Sequence, residues 1–271
     1  MKRNFFYFIN DWKINRILES NVFVGEKKIF LSHDDDLTKD TKWSNIGFEV
    51  IKVFSNSELE FVRKKILSIF SKQTKLNTLA PVSNLNFLKN LSDLDYLKLI
   101  NETCYNTLTP IDIGLDLNNF TKKISDILGF EVELNKFEKK NKTVQLRVVR
   151  PNQLDFNPPH RDIYIEHLKN AINLYVPIFG CIKNSSLPLL PGSHKWSDDM
   201  TIRTDTNCVV DSRKYNVPCI FSTSDNKPLK LKRPILNYGE AMMFSPYMIH
   251  GGAANKGADT RLSIELRFYR K

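Results

Sequence analysis

His160-Arg161-Asp162 follows Asn157-Pro158-Pro159. On an extended chain, residues two apart project to the same side, so an imidazole and a carboxylate point at one spot while Arg161 points away. Those are two ligands for a metal from one strand end. A third must come from a distant segment, and the candidate is His250, which ends the apolar run of residues 241–249 and precedes Gly251-Gly252. Two histidines and one carboxylate make the facial triad of non-haem Fe(II), which leaves three adjacent positions open. The H-x-D pattern alone has little specificity. His33-Asp34-Asp35 matches it as well, in an acidic loop with no partner set, and reads as solvated surface.

Eleven positions after His250, Arg261 begins an alternating segment with Ser263 on its own face and Leu262, Ile264, Leu266 and Phe268 on the other. An arginine turned towards the metal needs an anionic partner, because an unpaired buried charge is costly. Guanidinium takes a carboxylate through two parallel hydrogen bonds, and a hydroxyl two residues on adds another. Residue pattern alone equally allows this face to be exposed, with Glu265 and Arg267 as surface neighbours.

The elements that must position these residues fall into two halves. Residues 46–54 alternate as a strand, after which Ser57 and Glu60 have the spacing of a helix capping box, and Leu59, Val62, Ile66, Ile69 and Phe70 follow at helical intervals. Residues 85–108 and 117–128, the latter ended by Gly129, read as further helices. From about residue 143 the period changes to two, in short runs at 143–150, 171–178, 187–190, 241–249 and 261–269 separated by Pro, Gly and Asn. Strands gathered after helices predict an α+β fold, a double-stranded β-helix (jelly roll, cupin-like) buttressed by N-terminal helices. Residues 1–45 read as a polar, irregular N-terminal extension to a single domain spanning 46–271, and 195–235 as a long, basic loop or lid.

With the ordered set in view, the chain resembles the phytanoyl-CoA dioxygenase family of Fe(II)/2-oxoglutarate-dependent oxygenases from about Ile46 onwards. The residues that carry the resemblance are the opening Gly47-Phe-Glu-Val-Ile-Lys-Val-Phe segment, Gln145, His160-x-Asp162, Asn173-Leu-Tyr-Val-Pro-Ile, Leu190-Pro-Gly-Ser-His194, His250 and Arg261-x-Ser263. It implies that His160, Asp162 and His250 hold Fe(II), that Arg261 and Ser263 bind the distal carboxylate of 2-oxoglutarate, and that Gln145 also contacts this cosubstrate. The implied reaction consumes O2, decarboxylates 2-oxoglutarate to succinate and hydroxylates a C–H bond. Asp162 fills the place that a halogenase leaves open for halide. Asn184-Ser185-Ser186 stands where the family usually has Asn-Gly-Cys, and Tyr175 where a tryptophan is common; both departures bear on the substrate.

Asn173 and Tyr175 share a strand face that could line a barrel mouth, and Tyr164 and Trp196 are weaker candidates to touch substrate. His194, within a Pro-Gly turn, reads as a structural hydrogen-bonding residue. Two readings of another class stay open: a non-catalytic jelly-roll binding or regulatory module, and a cupin-like isomerase, against which Arg261-x-Ser263 argues.

Composition bounds the partners. The 271 residues carry a formal net charge of +10. Residues 1–140 contribute +2 and residues 141–271 contribute +8, so the excess surrounds the proposed ligands and favours anionic small molecules. Basic residues occur as isolated doublets, which disfavours nucleic acid, and no uncharged apolar stretch approaches the roughly 18 residues of a membrane span. Four scattered cysteines without paired spacing suit a reducing cytoplasm. A small-molecule substrate is the expected partner; oligomeric state leaves no trace in the sequence.

Overall fold

The computed structural model describes residues 2–30, 37–39, 41–74, 85–104, 108–134, 144–155 and 157–271. His33 and the acidic run Asp34-Asp35-Asp36 lie outside them.

Strand β1 (Arg3–Ile9) forms a hairpin with β2 (Trp12–Leu18), and β3 (Val22–Val24) follows. After β4 (Phe48–Lys52) come helices α1 (Asn56–Gln73), α2 (Asp93–Cys104) and α3 (Leu117–Leu128). The second half holds β5 (Val132–Leu134), β6 (Gln145–Val149), β7 (Ala171–Phe179), β8 (Thr201–Thr204), β9 (Cys208–Val210), β10 (Arg213–Tyr215), β11 (Ile220–Thr223), β12 (Lys230–Leu231), β13 (Glu240–Phe244) and β14 (Arg261–Arg270). This is the predicted α+β jelly-roll class: mostly antiparallel sheets with a few helices behind them.

The six-stranded sheet runs β4-β13-β7-β14-β5, with β6 paired to β14 as well. Its pivot is β14, which has β7 along one edge and β6 then β5 along the other. Alternation sorts its two faces. Leu262, Ile264, Leu266 and Phe268 of β14, with Ile172, Leu174, Val176 and Ile178 of β7, join the apolar faces of α1 (Leu59, Val62, Ile66, Phe70) and α3 (Phe120, Ile124) in the main core. Burying each such side chain contributes about 1.5–3 kcal/mol, which fixes the register. A one-residue slip would exchange the two faces. The opposite face therefore presents Asn173 and Tyr175 of β7 and Arg261, Ser263, Glu265 and Arg267 of β14, paired across the strands as Arg267 with Asn173 and Glu265 with Tyr175.

Five local expectations change. Residues 1–45 are not irregular throughout: β1 and β2 enter a five-stranded sheet, order β10-β9-β2-β1-β12, and β3 a three-stranded one, order β11-β8-β3. The stretch 195–235 is not a loop, since β8 to β12 lie inside it and supply the partners of those N-terminal strands. Both misreadings have one cause. The strands within 195–235 are only two to four residues long, and the N-terminal strands they border lie far away in sequence. The α1 cap is Ser55, whose side chain accepts from the Glu58 N–H while Glu58 returns a bond to the Ser55 N–H, two residues before the expected box. Residues 187–190 make only isolated bridges at Leu189, and a short 3-10 turn (Asn86–Asn90) precedes α2. α3 matches its expected span, with Gly129 closing it in the left-handed conformation at φ +76°. Among the described residues no helix is long and apolar enough to cross a membrane.

Candidate metal centre

His160 and His250 face each other across an isolated antiparallel bridge, each N–H donating to the other's carbonyl at 2.9 and 3.0 Å. This pairing brings together two residues that are distant in sequence and sets their rings 4.5 Å apart. Asp162 lies on the short turn that follows, its N–H anchored on the Pro246 carbonyl. The Asp162 Oδ1 atom is 3.4 Å from His160 Nε2 and 3.7 Å from His250 Nε2. All three side chains are buried, and one ligand atom from each lies within 4.8 Å of the other two.

Each imidazole is oriented from behind. His160 Nδ1 is 2.7 Å from the Pro158 carbonyl and His250 Nδ1 is 2.9 Å from that of Met248. A carbonyl only accepts, so Nδ1 carries the hydrogen and Nε2 is left as the free donor atom. The carboxylate is oriented too. Asp162 Oδ2 accepts from Asn173 Nδ2 at 2.9 Å and from Arg267 Nη2 at 3.2 Å, which turns Oδ1 towards the imidazoles. Gln145 Oε1 accepts from the same guanidinium at 3.3 Å.

Electrostatics agree with this geometry. Burial pushes His250 down to about 4, helped by the neighbouring His160, so the ring is neutral and available as a ligand at pH 7. Burial alone would raise Asp162, but Arg267 and the two histidines hold it well below the usual carboxylate range. A divalent ion fits this set: two imidazoles with Nε2 free and one carboxylate, closed from water and already aimed.

Arg261 and Ser263 lie on the same sheet face, both fully buried. Arg261 Nη2 donates to Asp155 Oδ2 at 2.9 Å and Nη1 to the Ser185 carbonyl at 3.0 Å, leaving Nε without a partner among the described residues; Ser263 Oγ also has none among them. The exposed reading of this face is therefore excluded, and these unmet donors suit a carboxylate ligand. Arg161 points away, as expected, and donates to the carbonyls of Ser193 and Trp196. His194 is structural: buried, with Nε2 2.9 Å from the Ser44 carbonyl.

A cavity in front of the triad is lined by Asp162, Asn173, Leu187, Phe244, His250 and Arg267, among others. Of the proposed substrate residues, Asn173 belongs to it, as a partner of the metal ligand. Tyr175 is buried on the same face under Arg261, whose guanidinium lies 5.9 Å from its ring. Tyr164 and Trp196 do not line this cavity. Tyr164 spends its hydroxyl on Asp198 at 2.8 Å, and both rings pack on the apolar cluster of the N-terminal strands. Sequence reasoning missed Asp155 and Arg267. Strict alternation from Arg261 was the available signal for Arg267; Asp155 had none.

A family model described as phytanoyl-CoA dioxygenase matches residues 113–263, more than half of the chain and including every residue of the triad, Arg261 and Ser263. The chain belongs to this family. It is thus a non-haem oxygenase that depends on Fe(II), 2-oxoglutarate and O2. The matched span is shorter at both ends than the resemblance that began at Ile46. Among solved structures, EctD from S. alaskensis, crystallised with 2-oxoglutarate and 5-hydroxyectoine, is 14% identical over 90% of this chain and 78% of its own, with a TM-score of 0.50. The non-haem alpha-ketoglutarate-dependent carbocyclase SnoK from nogalamycin biosynthesis is 12% identical over 91% and 87%, with a TM-score of 0.46. At 14% identity the likeness to EctD shows the fold. No curated protein matches the chain significantly in sequence.

Proposed function

We propose that this phytanoyl-CoA dioxygenase family member hydroxylates an unactivated C–H bond of a small, anionic metabolite or biosynthetic intermediate, with His160, Asp162 and His250 as its iron ligands. The observation that carries the reading is the convergence of three buried ligand atoms, each fixed by a second hydrogen bond, on the sheet face that also holds Arg261 and Ser263.

Iron with 2-oxoglutarate supplies the oxidising chemistry, converting the cosubstrate to succinate and carbon dioxide. The chain's own residues bind, orient and exclude water. Nε2 of His160 and of His250 and Oδ1 of Asp162 would take one face of the metal. Because Asp162 occupies the third protein position, no place is kept for a halide ligand, and the outcome is hydroxylation rather than halogenation. Arg261, through its unpaired Nε, and the Ser263 hydroxyl would hold the distal carboxylate, while Gln145 steadies the Arg267 guanidinium that braces Asp162. Phe244 packs edge-on against His250 at 4.9 Å and helps keep this side dry. The +8 charge of residues 141–271 supports an anionic substrate.

Anaerobic Fe(II) titration, followed by succinate release with 2-oxoglutarate and oxygen, tests the reading. The wild type is expected to bind one iron and release succinate, and His160→Ala and Asp162→Ala to do neither. A wild type that binds no iron refutes it.

A further inference from the structure

Arg233 is 7% exposed, lies close enough to Arg261 to feel its charge, and among the described residues has no carboxylate partner. Its Nε donates to the Ser186 carbonyl at 2.8 Å, its Nη2 donates to the Ala254 carbonyl, and its buried Nη1 has no partner. Arg261 donates to the preceding carbonyl, that of Ser185. Consecutive peptide groups of the Asn184-Ser185-Ser186 turn thus hold two guanidiniums next to each other. Two buried hydroxyls in the same neighbourhood, of Ser186 on the turn and of Ser263 on β14, also lack partners.

Charge arithmetic gives this cluster a vacancy of definite sign. Arg261 is paired with the Asp155 carboxylate and also feels Glu265, which pairs with Arg147, whereas Arg233 donates only to carbonyls, so among the described residues its buried charge has no carboxylate partner. Such a charge is costly unless an anion joins it. The strain between the arginines is visible in Arg233, pushed down to about 10 by burial and by the charge of Arg261. Nη1 of Arg233 and Nε of Arg261 are unmet donors of the kind that binds carboxylate oxygens. One added carboxylate would neutralise the cluster.

We infer that Arg233 is a second anchor for the distal carboxylate of the 2-oxo acid, so that the cosubstrate is held by a two-arginine cradle built on the Ser185-Ser186 turn. This rests on the reading of Arg261 as the cosubstrate arginine. Its consequence is specificity: the cradle favours a dicarboxylic 2-oxo acid over a monocarboxylic one of the same length.

The test is calorimetric titration of the Fe(II)-loaded protein, without oxygen, using 2-oxoglutarate and 2-oxopentanoate, which lacks the distal carboxylate. Wild type is expected to bind 2-oxoglutarate far more tightly. Arg233→Gln is expected to weaken 2-oxoglutarate roughly tenfold to hundredfold, the loss of a charged hydrogen-bond partner, and to leave 2-oxopentanoate and Fe(II) within about twofold. Arg233→Lys keeps the charge but not Nη1, and is expected to cost 2-oxoglutarate several-fold with 2-oxopentanoate unchanged; this variant serves if the glutamine form does not fold. Equal weakening of both acids would mean that Arg233 only supports the turn, and unchanged 2-oxoglutarate affinity would mean that it is uninvolved; either overturns the inference while leaving Arg261 intact. A wild type that binds both acids equally, or neither, refutes the cosubstrate reading and the cradle together.

Discussion

Replacing Asn173 by leucine removes one hydrogen bond from the metal centre while keeping side-chain volume close to the original. Asn173 Nδ2 donates to Asp162 Oδ2 at 2.9 Å, with both side chains buried. A hydrogen bond to a charged group contributes about 1.5–3 kcal/mol, or roughly a factor of ten to a hundred and fifty in an equilibrium constant. Arg267 still donates to the same oxygen at 3.2 Å, so the carboxylate stays charged but is free to swing about that single bond. The penalty falls on metal binding, because the ion must then fix a carboxylate that Asn173 had already aimed. Removing groups that orient metal ligands typically costs about tenfold to hundredfold in affinity, and the same range is expected here. The assay is anaerobic competition for Fe(II) against a chromogenic chelator, with thermal unfolding to verify that the variant is folded. A folded Asn173→Leu protein whose Fe(II) dissociation constant stays within about twofold of wild type would refute the argument that Asp162 is aimed by its second oxygen.

Two further outcomes follow from the same geometry. Because His250 is depressed to about 4 in the folded state, below an ordinary histidine, the unfolded chain takes up this proton first as pH falls. Metal-free protein should therefore hold its full contribution from this group above about pH 6.5 and lose it as pH drops towards 4. Melting temperature against pH should show this slope, and saturating Fe(II) should raise the whole curve. Gly251 has φ +94°, and a Cβ there would lie 2.9 Å from His160 Nδ1 and from the Pro158 carbonyl it bonds. Gly251→Ala should accordingly displace the ring and weaken Fe(II) severalfold or more, read by the same chelator competition; an unchanged affinity would show that the carbonyl contact does not set the ring.

The central sheet was legible because burial imposes a strict period on it. In β7 and β14 every second residue enters the helix-backed core, so Arg261 and Ser263 could be assigned to one face of their strand and Asn173 and Tyr175 to one face of theirs from the sequence, while the sheet pairing puts them on a common face. The hairpin at the N-terminus left a weaker signal. Phe5, Tyr7 and Ile9 alternate with half-exposed neighbours, Ile14, Arg16 and Leu18 do the same, and Asn10 takes φ +52° at the turn between them. Its partners, however, are three-residue and two-residue strands near residues 208–231, too short to show a period of their own. The capping box shifted by two because Ser55 and Ser57 each have a glutamate three residues on, and only backbone geometry chooses between them. Asp155 and Arg233 could not be found by pattern. Each is one charged residue in an irregular segment, and its role exists only once folding brings it to Arg261.

The His160–His250 bridge closes a loop of about 90 residues, and two of the three proposed iron ligands are its rungs. A metal bound there is a removable cross-link as well as a reaction centre, tying together segments whose separation makes their meeting entropically expensive. Bound iron would then stabilise the folded chain as well as serve the reaction, and stripping the metal is expected to lower the melting temperature.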